Sequence, residues 1–133
     1  MRERAMSDEE RASRIKRVVL RTTVASAALG VVLSPIPLAD ELVLLPVYGL
    51  MATRIGRAHG LGLTSVPWRP IFAAVAAGLA SRAAVNVAFA FIPGVAAVAN
   101  AVSAAALTQA LGSFTDTACR EGVSREAAGV PAR

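Results

Sequence analysis

Residues 83–115 contain no Asp, Glu, Lys or Arg, an uncharged run of 33 residues that is broken once, at Ile92-Pro93-Gly94. About 20 apolar residues suffice for one helix to cross a bilayer. Proline ends or kinks a helix, so a Pro-Gly step near the first third of the run folds it into two arms. The first arm reaches back to Ile71 with Arg82 as its only charged residue. The run therefore reads as a helical hairpin, in a membrane or in a deeply buried bundle. Strand signals are absent, because alanine dominates and period-2 alternation is scarce.

Hydrophobic residues make up 55% of the chain and charged residues 17%, against about 25% charged in ordinary soluble domains. Charge is confined mostly to residues 1–21, 54–69 and 116–133. The net charge of +5 is not gathered into a dense basic patch with interleaved aromatics, which argues against a nucleic-acid partner. Basic segments beside apolar ones mark the cytoplasmic face of a membrane. The one cysteine, Cys119, allows no intramolecular disulfide. It follows the last apolar segment beside Arg120, where lipidation is conceivable and an ordinary thiol is the simpler reading. The N-terminus lacks a signal-peptide pattern: the apolar stretch from Val18 carries Arg21, and no clear Ala-x-Ala-like site follows.

Four helices are expected. Ser7 and Glu10 have capping-box spacing, which starts a first helix near Asp8 that runs to about residue 33 and stops at Ser34-Pro35-Ile36-Pro37. A second, over 37–58, stops at His59-Gly60-Leu61-Gly62. A third begins near Pro67-Trp68-Arg69-Pro70, where proline suits a first turn, and ends at Ile92. A fourth runs from Gly94 to Cys119. The expected fold is all-α: two Pro-tipped hairpins (18–58 and 68–119) forming a small-residue-rich four-helix bundle, embedded in a membrane. A charged N-terminal segment (1–17) precedes the helical domain (18–119), and a flexible tail (120–133) follows. Both halves share one plan, an apolar helix, an Ile-Pro tip and a second apolar helix.

Magnitudes temper the membrane reading. At mid-bilayer each Leu, Ile, Phe or Val gains about 0.3–0.6 kcal/mol, and Arg costs about 2.5–3.5. Nine such residues in the third helix gain roughly 3–5 kcal/mol, nearly offset by Arg82. Six in the fourth gain roughly 2–3 kcal/mol, set against Asn100 and Gln109. Each arm is marginal alone, and their Ala, Gly and Ser surfaces favour close helix–helix contact. Four crossings put Arg54, Arg57, Arg69 and both charged ends on the cytoplasmic side and both tips outside. Asp40 and Glu41 then fall in the first turns of the second helix, where the dipole favours anions, and Trp68 falls at an interface. The second helix is short, with only twelve uncharged residues over 42–53. The same pattern fits shallow hairpins in one leaflet, and a soluble Ala-rich bundle would show the same small-residue faces.

Four polar residues stand out as interhelical or partner candidates: Arg82, Asn86, Asn100 and Asp40. Asn86 and Asn100 lie seven residues on either side of Pro93, so a hairpin brings them to one depth, where they would hydrogen-bond and fix register. Arg82 is an intramembrane ionisable residue. It would snorkel to water, bind lipid phosphate or meet an acidic group of a partner subunit. His59 has no second His or Cys nearby and reads as a helix cap, not a metal ligand. The serines have no base within reach by sequence logic, no phosphate-binding loop occurs, and Asp40 and Glu41, adjacent on a helix, point about 100° apart. The sequence therefore predicts no enzyme, no cofactor and no metal site.

Pro35-Ile36-Pro37-Leu38-Ala39-Asp40, with the apolar helix to Ile55-Gly56-Arg57-Ala58-His59-Gly60, resembles the first half of a bacterial domain-of-unknown-function family. That family accompanies Era-like GTPases and the YcjF-type inner-membrane proteins. Ile92-Pro93-Gly94-Val95 through Thr108-Gln109-Ala110-Leu111-Gly112 resembles its second half, with Gln109 where an aromatic is expected. The resemblance covers residues 30–115 and implies a helical, membrane-associated module working beside a GTPase or another partner in trans. The expected function is a small non-enzymatic module of the bacterial inner membrane, termini cytoplasmic, that anchors or assembles with a partner. Its other expected contacts are membrane lipid and further copies of itself. The alternative is a soluble helical bundle serving as a structural or cargo-type interaction module.

Overall fold

Ser7 and Glu10 close the expected capping box: the Ser7 N–H donates to Glu10 Oε2 at 3.0 Å and the Glu10 N–H to Ser7 Oγ at 3.2 Å. From this cap the computed structural model runs through four helices: α1 (Asp8–Val32), α2 (Ala39–Ala58), α3 (Trp68–Phe89) and α4 (Val95–Ala127). It describes residues 6–32, 39–89, 91–92 and 94–129, with only the backbone of 39–41, and no strand occurs among them. The all-α, four-helix expectation holds. The Pro35-Ile36-Pro37 tip, Pro93 and the side chain of Asp40 lie outside the described residues.

The helix ends follow local chemistry. α2 stops where Gly60 takes φ +78°, a conformation that favours glycine. The Gly60 N–H then bonds the Arg57 carbonyl at 3.1 Å and the Leu61 N–H the Gly56 carbonyl at 2.9 Å, the paired pattern of a Schellman end. Gly94 begins α4 at φ +83°, so the glycine of the Pro-Gly tip meets a backbone need. The third helix ends at Phe89, one turn before the expected Ile92.

The larger departure is at the other end of α4. Residues 120–127, expected as flexible tail, continue the helix. Asp116–Arg120 at 3.2 Å and Glu121–Arg125 at 3.9 Å put an acid four residues before a base, the favourable order on a helix. At 33 residues α4 is about 50 Å long.

α4 organises the bundle. It packs on α1, α2 and α3, whereas α2 and α3 barely touch and α1 does not meet α3. Both flanking helices lie antiparallel to it. Along α1, Gly30 faces Asn100 and Val19 faces Gly112; along α3, Gly78 faces Leu107. The stripe that α4 buries is small and polar: Asn100, Ala104, Thr108, Gly112, Thr115 and Cys119, with Leu111 beside them. Its counterpart on α1 is Ile15, Thr22, Thr23, Ser26 and Gly30. Three of the four buried threonines turn inward to their own helices: Thr22, Thr23 and Thr108 each donate to the carbonyl four residues back, at 2.7–2.9 Å. Larger apolar side chains fill the space around α2, where Leu44, Tyr48, Met51 and Ile55 pack with Ile71, Val75 and Leu111.

Many of the largest hydrophobic residues point outward. Leu20, Val24, Leu42, Leu50, Phe72 and Val98 are all more than half exposed, and Phe91 is 88% exposed. Only 17% of the apolar window of α3 and 28% of that of α4 is buried in the bundle.

Close approach of α1 and α4 depends on missing β-carbons. A Cβ on Gly30 would lie 3.2 Å from the Asn100 carbonyl oxygen, and one on Gly112 would lie 2.6 Å from Val19 Cγ2. Gly122, on the same helix, has nothing within 4 Å. Gly30→Val is expected to lower stability by about 1–3 kcal/mol through overpacking, and Gly122→Ala to raise it by about 0.5–1 kcal/mol. Chemical denaturation of the two variants beside the parent protein checks both signs.

Candidate functional site

Two polar constellations occupy opposite halves of the bundle. The first joins three helices around Arg82, which is 2% exposed. Arg82 Nη2 donates to Asn100 Oδ1 and, at 3.4 Å, to the Asn100 carbonyl; Arg82 Nε donates to Ser103 Oγ at 3.2 Å. Ser103 Oγ in turn donates to the Asn100 carbonyl at 3.0 Å. The other side of the Asn100 amide, Nδ2, donates to the Gly30 carbonyl at 2.8 Å. A cation on α3 is thus held by α4, and the same side chain of α4 is tied to the backbone of α1.

This geometry answers two expectations. Arg82 does not reach water; it is buried and engages its own chain. Asn100 pairs with Arg82 and Gly30, not with Asn86, which is half-buried. Equal spacing about Pro93 put the two asparagines at one depth, but depth is only half of the condition. The azimuth of Asn100 points its amide between α1 and α3, and the long arginine stem reaches it there.

The second constellation lies where the α2–α3 loop closes the bundle. His59 Nε2 meets Asp116 Oδ1 at 2.6 Å, and the Arg120 guanidinium takes Asp116 Oδ2 at 3.2 Å. The His59 side chain is 6% exposed. His59 does sit at the helix end, as expected, but its ring also links α2 to α4. Cys119, one turn beyond Asp116, is 0% exposed. Burial first, and the Asp116 charge second, push its thiol from near 9 up to about 11. Trp68 is half-buried and donates from Nε1 to the Leu63 carbonyl at 2.7 Å, with its ring 5.7 Å from Phe72.

Beside this cluster α1 and α4 part to leave a half-open groove of about 880 Å³. It runs along α1 from Asp8 to Thr23 and along α4 from Arg120 back to Gln109, with His59 and Asp116 in its wall. Asp116 and the groove were missed in the sequence. The available signal was that Asp116 is the first charge after the uncharged run and that His59 ends the preceding hairpin on the same side. Among the described residues no three His, Cys, Asp or Glu side chains converge as a metal site.

Charge is segregated along the bundle axis. Apart from Arg82, every described basic residue lies in the half that holds the α2–α3 loop. The other half presents Val31, Val32, Phe89, Phe91, Ile92 and Val95. No protein family, curated protein or solved structure matches this chain.

Two measurements test the clusters. Asn100→Ala leaves the Gly30 carbonyl without this donor and removes the Oδ1 acceptor from Arg82, so stability should drop by about 2–3 kcal/mol; an unchanged unfolding midpoint would remove the junction from the fold's supports. The raised thiol of Cys119 keeps its proton in the folded state to higher pH than when unfolded, so stability should fall as pH rises from about 9 to about 11. Maleimide labelling at pH 7–8 should be slow until denaturant is added.

Proposed function

We propose that this chain is a non-enzymatic membrane module, embedded as a helical bundle, that anchors or assembles with a partner protein. The observation that carries this reading is the polarity of the bundle. The seam of α1 and α4 is mostly Gly, Ala, Ser, Thr and Asn with an arginine buried against it, and beyond the apolar cluster around α2 many Leu, Val and Phe residues face outward. Small residues at helix contacts and polar residues turned inward are the pattern of helices packed in lipid. A soluble bundle buries its large apolar residues; here α3 and α4, each long and apolar enough to cross a membrane, keep most of their apolar windows outside.

The segregation of basic residues supports one orientation, with the α2–α3 loop, the start of α1 and the end of α4 on the cytoplasmic side of a bacterial inner membrane. Residues 95–115 of α4 span about 30 Å, the thickness of a hydrocarbon core. On α1 the uncharged stretch is shorter, and Arg21, exposed at its edge, has a stem long enough to lift its charge toward the loop side. The protruding charged ends of α1 and α4 offer a cytoplasmic partner a rigid handle.

Carbonate washing of expressing membranes should leave the protein in the pellet. A monodisperse, detergent-free soluble fraction would overturn the reading. For orientation, Phe91→Cys avoids the strained φ of Gly94 and should react with an impermeant maleimide only from outside, Cys119 being silent. Reaction solely from the cytoplasmic face would replace four crossings with hairpins dipping into one leaflet.

A further inference from the structure

The groove between α1 and α4 changes character along its length. At its outer end it is charged, with Arg11 and Lys16 from α1 and Arg120 from α4. Toward the bundle's middle it is uncharged, walled by Val19, Leu20 and Gly112. Sixteen residues of α1, from Asp8 to Thr23, make it about 24 Å long. Its volume falls within the roughly 300–1,000 Å³ of small-molecule sites.

The charged end favours an anion. Both of its carboxylates are already met within the protein: Asp8 by Arg11 at 2.8 Å, and Asp116 by His59 and Arg120. Donors are left over. Lys16 makes no ion pair among the described residues, and Arg11 and Arg120 meet Asp8 and Asp116 through Nη1 and Nη2 respectively, in each case one nitrogen of a guanidinium that carries several N–H groups. The apolar end lies at the level where exposed charge on α1 gives way, after Arg21, to uncharged helix, and Leu20 opens it outward at 59% exposure. One occupant matches both ends and their order, an amphiphile with an anionic head and a hydrocarbon tail.

We propose that this groove binds one anionic phospholipid, its phosphate held by Lys16, Arg11 and Arg120 and one acyl chain laid along Val19 and Leu20. The proposal rests on the membrane reading for its lipid supply, and it deepens that reading by separating a seated lipid from the general attraction of a basic face. Arg14 and Arg17 provide the comparison: they lie on the same stretch of α1 and carry the same charge, but they do not line the groove.

The test is native mass spectrometry of the detergent-purified full chain with phosphatidylglycerol or phosphatidylcholine added in micelles. One phosphatidylglycerol should be retained with a preference of about tenfold or more, in line with two cations contributing at a membrane surface. K16Q/R120Q should abolish the preference, and Gln109→Trp, which fills the uncharged end from an exposed position, should weaken retention with the charges intact. R14Q/R17Q should keep it. Equal loss in both charge-reduced pairs would show attraction to the basic face only and overturn the site, as would displacement of the lipid by excess inorganic phosphate. The membrane reading fails separately. A chain that stays with carbonate-washed membranes yet shows no lipid preference overturns the groove alone. One that is soluble yet keeps its lipid overturns only the embedding.

Discussion

A guanidinium 2% exposed among alanines and valines is tenable only if its donors are met, because taking a charge out of water costs several kcal/mol. The Arg82–Asn100–Gly30 junction engages Nε and Nη2 and sets the terms for its neighbours. To bond the Gly30 carbonyl at 2.8 Å, the α4 backbone must come close to that of α1, and a β-carbon at position 30 would crowd the Asn100 carbonyl. To receive Arg82, α3 must lie against the opposite side of α4. One amide, acting as acceptor on one face and donor on the other, fixes both spacings. The glycines and threonines of the seam are what allow helices to approach that far, since buried threonines bonded to their own carbonyls present little more than a methyl group.

Close packing of small residues along α4 leaves many large apolar residues outside, the buried ones being gathered around α2. That inversion follows from volume as much as from polarity. α4 touches three neighbours, and a larger side chain in place of Gly112 would hold α1 off it. The groove marks where this constraint relaxes. Beyond Gly112 the sequences of the two helices turn charged, and the groove has His59 and Asp116 in its wall.

Sequence reading reached the architecture readily. The helix count, the capping box and the glycine stops lie in local patterns, and a local pattern needs no knowledge of neighbours. It also singled out Arg82 and Asn100, which the structure joins, because polar groups inside an apolar run are visible without a structure. Their pairing was not legible. Spacing from Pro93 gives depth along a hairpin, whereas the choice of Arg82 over Asn86 depends on how α4 is rotated, which is set by α1, seventy residues away. His59 failed to show its partner for the same reason, with 57 residues separating it from Asp116. The helical end of α4 was a different omission. Its acid-to-base pairs were in plain sight, and the two glycines and the proline of the tail outweighed them in the reading.

The order of the helices has a temporal consequence. A ribosome completes α1, α2 and α3 before α4, yet α3 scarcely touches α2 and does not meet α1. Until α4 emerges, the nascent chain can close one hairpin while α3 has only its limited contact with α2. Arg82 precedes its acceptor Asn100 by 18 residues, about one to four seconds of synthesis. For that interval the third helix carries a charge whose amide acceptor does not yet exist. The fourth helix is therefore the keystone of assembly of these four, and a chain stalled before it would present a half-built, adhesive intermediate for cellular quality control to hold or degrade.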